Sequence, residues 1–221
     1  MGLILGKISV ETPKYQLIHK AADYEIRTYA PSVLAEVTYD PAVLGGRDAG
    51  FMILANYIGA VGEPQNSRPE KIPMTAPVIT HSPQKIAMTA PVVTSGGGGS
   101  APVTMQFVLP ANYAKAEDAP RPTDERVRIR EEGERKYGVV RFSGLATEAT
   151  TADRAERLRR SLERDGYKVV GEYVLARYNP PWTLPPLRTN EEMEKVENNF
   201  FLEQDQFLSP FKMSGEHLLV A

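Results

Sequence analysis

Few side chains in this sequence are equipped for bond-making chemistry. There is no cysteine, which removes disulfides, thiolate nucleophiles and thiolate metal sites together. The histidines are His19, His81 and His217; none pairs closely with a carboxylate, and no recognisable catalytic motif surrounds them. Each reads as a surface histidine. Arg154, Arg157, Arg159, Arg160 and Arg164 form a basic run that suggests phosphate, but Glu156, Glu163 and Asp165 are interleaved with it. Mixed signs of that kind describe a solvated helix face. The stretch Asn179–Asn190 is different. It carries four prolines and the only tryptophan, and proline stiffens a loop by fixing φ. Trp182 and Leu187 are thereby held with little ordering cost, as a wall for a flat apolar ligand or as a loop folded onto its own core.

Such a wall needs elements to carry it. The most conspicuous stretch repeats itself: Lys71-Ile-Pro-Met-Thr-Ala-Pro-Val-Ile-Thr80 returns as Lys85-Ile-Ala-Met-Thr-Ala-Pro-Val-Val-Thr94. Period-2 reading puts Ile72, Met74, Ala76 and Val78 on one side of the first copy, which is half-buried strand patterning. The two copies read as a hairpin across 81–84, placed by their prolines at a sheet edge or where pairing is interrupted. Tyr24–Tyr29 and Ser32–Tyr39 alternate and read as a hairpin about Ala30-Pro31. After Asp48, a candidate N-cap, Phe51, Leu54, Ala55 and Ile58 recur at helical spacing until Gly59 stops them. Met52 and Ile53 widen that apolar surface beyond one stripe. Ser95–Ser100 is a flexible loop by composition, Val103–Leu109 a strand, and 111–123 a crossing loop.

The pattern then restarts. Arg126–Arg130 and Tyr137–Ser143 read as a hairpin, Thr151 as the cap of a helix with Ala155, Leu158 and Leu162 on its apolar stripe, and Tyr167–Tyr178 as one long strand. This order describes an α+β fold: duplicated β-α-β halves, about 20–109 and 124–196, forming a distorted antiparallel barrel flanked by two helices. Residues 1–196 read as one domain and 197–221 as a C-terminal extension with scattered phenylalanines. With 221 residues and a net charge of −2, the chain can bury a sizeable core and shows no electrostatic footprint for nucleic acid. Its first ten residues are apolar but too short to span a bilayer, and they lack the marks of a secretory signal. The expectation is a cytoplasmic protein without stable membrane insertion.

Lys71–Val78, Tyr24–Tyr29, the helix end Tyr57-Ile-Gly59, and Ala176-Arg-Tyr-Asn-Pro-Pro-Trp182 running to Arg188-Thr-Asn190 together resemble the SOUL/haem-binding protein family, most nearly its plant and algal members. The resemblance covers about 10–196. It implies reversible binding of haem or another tetrapyrrole, for buffering, transport or signalling, in a shallow apolar cleft between residues 50–60 and 178–190. The contacts it implies are Met52, Ala55, Asn56 and Tyr57 on the helix, Tyr178, Trp182 and Leu187 opposite, and Arg188 for a propionate. Burying on the order of 500 Å² at ~25 cal/mol/Å² yields ~12 kcal/mol, against ~4–15 kcal/mol of association cost. Apolar contact therefore suffices without an iron ligand. If iron is ligated, Tyr57, Tyr178 or a histidine from a moving segment would supply the atom. Two other readings stand beside this carrier function: a tetrapyrrole-modifying enzyme, and a protein-interaction module whose cleft holds a partner's side chains.

Overall fold

The computed structural model describes residues 8–46, 48–81 and 102–198. The elements run β1 (Tyr15–Lys20), β2 (Glu25–Tyr29), β3 (Ser32–Tyr39), α1 (Pro41–Leu44), α2 (Ala49–Ile58), β4 (Val78–His81) and β5 (Val103–Val108). They continue with β6 (Val127–Glu132), β7 (Arg135–Phe142), α3 (Glu148–Arg164), β8 (Tyr167–Val169), β9 (Val174–Arg177) and β10 (Asn190–Asn198). One antiparallel sheet takes the order β1-β2-β7-β10-β9-β4-β5-β3-β6, with β8 on the far end of β10.

Two of the three expected hairpins, those of 24–39 and 126–143, are instead open corners. β2 pairs with β1 and β7, whereas β3 pairs with β5 and β6. A tight hairpin needs a turn with positive φ, and Pro31 fixes φ at a negative value. The chain turns a corner there, and β6 to β7 turns beside it. The register carries through both: Tyr29 faces Arg135 and Ser32 faces Glu132. Arg135 braces the bend, its Nη1 donating to the Ala30 carbonyl at 3.0 Å and its Nη2 to Ser32 Oγ at 2.9 Å. The sheet thus returns on itself through two chain corners, giving a curled, barrel-like α+β fold.

The duplication is visible in the pairing. Exchanging β3, α2, β4 and β5 for β7, α3, β9 and β10 maps the β3–β5 and β5–β4 ladders onto β7–β10 and β10–β9. β4 and β9 meet at the centre, Ile79 opposite Ala176 and Thr80 opposite Leu175. β4 is therefore a central strand, its two edges taken by β5 and β9. The prolines of the first repeat copy lie ahead of it, in an unpaired extended run where Ile72 and Ala76 are buried but Thr75 is too, its hydroxyl donating to the Val108 carbonyl. The second copy, the connection 82–84, the glycine loop, residues 1–7, residues 199–221 and His217 lie outside the described residues.

Helix α2 packs Ile53, Leu54, Tyr57 and Ile58 against Val33, Val37, Met105 and Phe107. Gly50 allows the close seating, since a Cβ there would fall 2.3 Å from the Tyr39 ring. Gly59 ends the helix at φ 71°. Helix α3 lays Leu158 and Leu162 on Ile26 and Val196. Its cap is Thr147, one turn ahead of Thr151: Thr147 and Thr150 bond reciprocally, and Thr151 lies inside the helix, donating to the Thr147 carbonyl at 2.9 Å. The long strand after α3 is broken into β8 and β9 around Gly171, whose φ of 79° departs from regular strand geometry. Among the described residues no helix is long and apolar enough to cross a membrane.

Candidate functional site

The two strands at the centre of the sheet have side chains on both faces, and each face borders an opening. On the helix side, Thr80 of β4 and Leu175 and Arg177 of β9 floor a groove. Asp48, just ahead of α2, stands on one bank; Ala146, Glu148 and Thr151, at the start of α3, stand on the other. The groove encloses about 530 Å³, part of it open to solvent. Arg177 crosses it: Nη1 donates to Asp48 Oδ1 at 2.6 Å and Nη2 to Thr80 Oγ1 at 3.1 Å. Asp48 is thus at the N-cap position without making a cap bond, because its carboxylate is spent on Arg177.

Directly after Arg177 the chain enters the proline-rich loop. The loop is tied at many points. Thr183 N donates to the Pro180 carbonyl at 3.0 Å, Thr189 N to Asn179 Oδ1 at 2.6 Å, and Gly144 N to the Pro185 carbonyl at 2.9 Å. The last bond joins the loop to the segment that leads into α3. The apolar side chains face outward: Trp182 is 66% exposed, Leu184 55% and Leu187 41%, with Leu145 on the adjoining turn at 57%. A tied loop presenting three apolar side chains to water, with a fourth beside it, is an unsatisfied surface.

The eight residues expected at the cleft divide by environment. Met52 is exposed on α2, Asn56 is half-buried, and Trp182 and Leu187 are exposed on the loop. Ala55 and Tyr57 turn into the core. The Tyr57 hydroxyl donates to the Pro120 carbonyl at 2.8 Å, and burial pushes its pKa well up. Arg188 holds its own loop together, Nε donating to the Thr183 carbonyl at 2.8 Å and Nη2 to that of Pro181. Tyr178 points to the other face of the sheet and donates to Glu191 Oε2 at 2.6 Å; burial first, then the Glu191 charge, raise its pKa strongly. Arg177, missed in the sequence because an arginine inside a strand reads as surface, is the cation in the groove.

The inner face carries a second, much narrower pocket, with Tyr29, Ile79, His81, Tyr137, Tyr178 and Met193 among its walls. Burial raises the Tyr29 and Tyr137 hydroxyls to about 12. His81 Nε2 is 2.9 Å from Gln106 Oε1. Below it Arg27 bridges Glu25 and Glu191, with the Glu191 contact at 2.9 Å and both side chains almost wholly buried. These groups satisfy one another. His19, on β1, is exposed. Among the described residues no three histidine or carboxylate side chains gather as a metal site.

Over residues 10–85 and 80–193 the chain matches the family model described as SOUL heme-binding protein. No curated protein matches it. Among solved structures, the C-terminal domain of EcmrR aligns with a TM-score of 0.50 and 12% identity, over 83% of this chain and 98% of that one. An uncharacterized conserved protein from Listeria innocua aligns with a TM-score of 0.50 and 10% identity, over 79% of this chain and 92% of that one. At such identities the likeness speaks to the fold alone.

Proposed function

The chain belongs to the SOUL haem-binding protein family, and on that premise we propose that it binds haem or another tetrapyrrole reversibly over the groove floored by β4 and β9, with the neighbouring 178–190 loop and the exposed face of α2 as its apolar flanks, as a carrier or buffer. The observation that carries this reading is the loop: Trp182, Leu184 and Leu187 are held out in water on a tied, proline-stiffened frame beside a groove. A flat macrocycle covers such a surface without the entropic cost of ordering it. Met52, Trp182 and Leu187 are the contact residues, with Asn56 at the margin. Ala55 and Tyr57 fix the helix; Tyr178 and Arg188 fix the loop.

The fit is divided: the loop and α2 offer exposed apolar side chains for the ligand's face, while the groove's mostly polar walls offer one guanidinium, Arg177, for an acidic edge. The described groove walls carry the Tyr173 phenol but no imidazole; in this reading affinity comes first from apolar contact with the macrocycle, and an axial bond to iron would fall to that phenol. Titration of the purified protein with haemin and with metal-free protoporphyrin IX, followed by absorbance, tests this. Saturable binding of both with similar affinity is expected. Absence of saturation with either would contradict the reading, and a marked preference for haemin would show that iron ligation, with Tyr173 the candidate on the groove wall, carries the affinity instead of apolar contact.

A further inference from the structure

We propose that Arg177 is the anchor for a free carboxylate of the bound tetrapyrrole, and that Asp48 holds that anchor until the ligand displaces it. The inference rests on the binding reading above and narrows its ligand class to tetrapyrroles with unesterified acid side chains.

Three features of the ion pair support it. Arg177 is positioned: its side chain is 28% exposed, and Thr80 Oγ1 accepts from Nη2, so the guanidinium stays on the groove floor. Asp48 is displaceable: its side chain is 72% exposed, so it returns to water at little desolvation cost. Asp48 also has somewhere to go. It stands at the N-terminal end of α2 with no cap bond, where a released carboxylate remains favoured by the positive end of the helix. Arg–carboxylate pairing is bidentate by preference, and an incoming ligand carboxylate would compete for the same fork. Arg188, by contrast, has committed Nε and Nη2 to loop carbonyls.

The test compares protoporphyrin IX with its dimethyl ester on the full chain. Arg177→Gln should weaken binding of the diacid by about tenfold, the loss of one charge-assisted pair, and leave the ester unchanged. Asp48→Asn should act in the opposite direction, tightening the diacid several-fold, again without effect on the ester. The Asp48→Asn arm stands independently should Arg177→Gln fold poorly. Wild-type protein that binds both porphyrins while neither variant separates acid from ester would overturn the anchor and leave the binding reading standing. Wild-type protein that binds neither would overturn both.

Discussion

Glu192 is the residue whose surroundings are hardest to justify by folding alone. It is fully buried on β10, and neither carboxylate oxygen has a hydrogen-bond partner among the described residues. Burial first, and then the neighbouring Glu194 charge, raise its pKa from 4.5 to about 9, while Arg154 pulls weakly the other way. Folded protein therefore holds a proton that unfolded protein loses above pH 4.5. The stability this contributes is complete below about pH 4.5 and is lost as pH rises toward about 9. Its strand neighbours have partners instead: Glu191 pairs with Arg27, and Glu194 with Arg159 at 3.2 Å, although burial still raises the Glu194 carboxyl. Glu192→Met, a near-isosteric apolar replacement, should stabilise the protein by about 1–3 kcal/mol at neutral pH, with a larger gain at pH 9 than at pH 6. Denaturant midpoints at the two values check this; equal gains would show that Glu192 is already ionised in the fold.

At the level of elements, the loop and α2 divide the work of the site. The loop's backbone is closed on itself, and its apolar side chains add nothing visible to the core. Replacing Trp182 and Leu187 together by Ala should therefore leave the unfolding midpoint nearly unchanged, within about 0.5 kcal/mol, while weakening porphyrin binding at least tenfold by the loss of two apolar contacts. Thermal melts and porphyrin titrations on the same preparation separate the two effects. A large fall in stability would mean that these side chains serve the fold. Helix α2 is the opposite case: Leu54, Tyr57 and Ile58 are almost wholly buried, so under the proposed reading only Met52 and its neighbours are open to a ligand, and truncations elsewhere on it report on folding.

Across the whole molecule, what was legible in the sequence followed periodicity and punctuation. The duplicated plan, β3 and α2 emerge from alternation, from 3.6-residue spacing and from Gly59. Partners were not legible. Alternation in 24–29 and 32–39 says that both are strands but not that they join different neighbours, and only the fixed φ of Pro31 hints at a corner. β10 was invisible because its sequence, Asn190-Glu-Glu-Met-Glu-Lys-Val-Glu-Asn198, is charged, and the arginines that permit its burial come from β2 and α3. β1 was invisible for another reason: all of its residues are exposed. The candidate site was legible as a stiff loop near a helix, yet the cation on its floor was not, since Arg177 gains meaning only from the pairing that sets it opposite Val78.

The central claim is that the ligand lies on the helix side of the sheet, between α2 and the proline-rich loop, and not in the tyrosine-lined pocket of the inner face. Backbone amide chemical shifts recorded while protoporphyrin IX is added decide between the two. The account predicts perturbations concentrated in residues 48–56, 144–151 and 173–188. Shifts confined to the surroundings of Tyr29, His81, Tyr137 and Met193, with α2 and the loop unmoved, would contradict it.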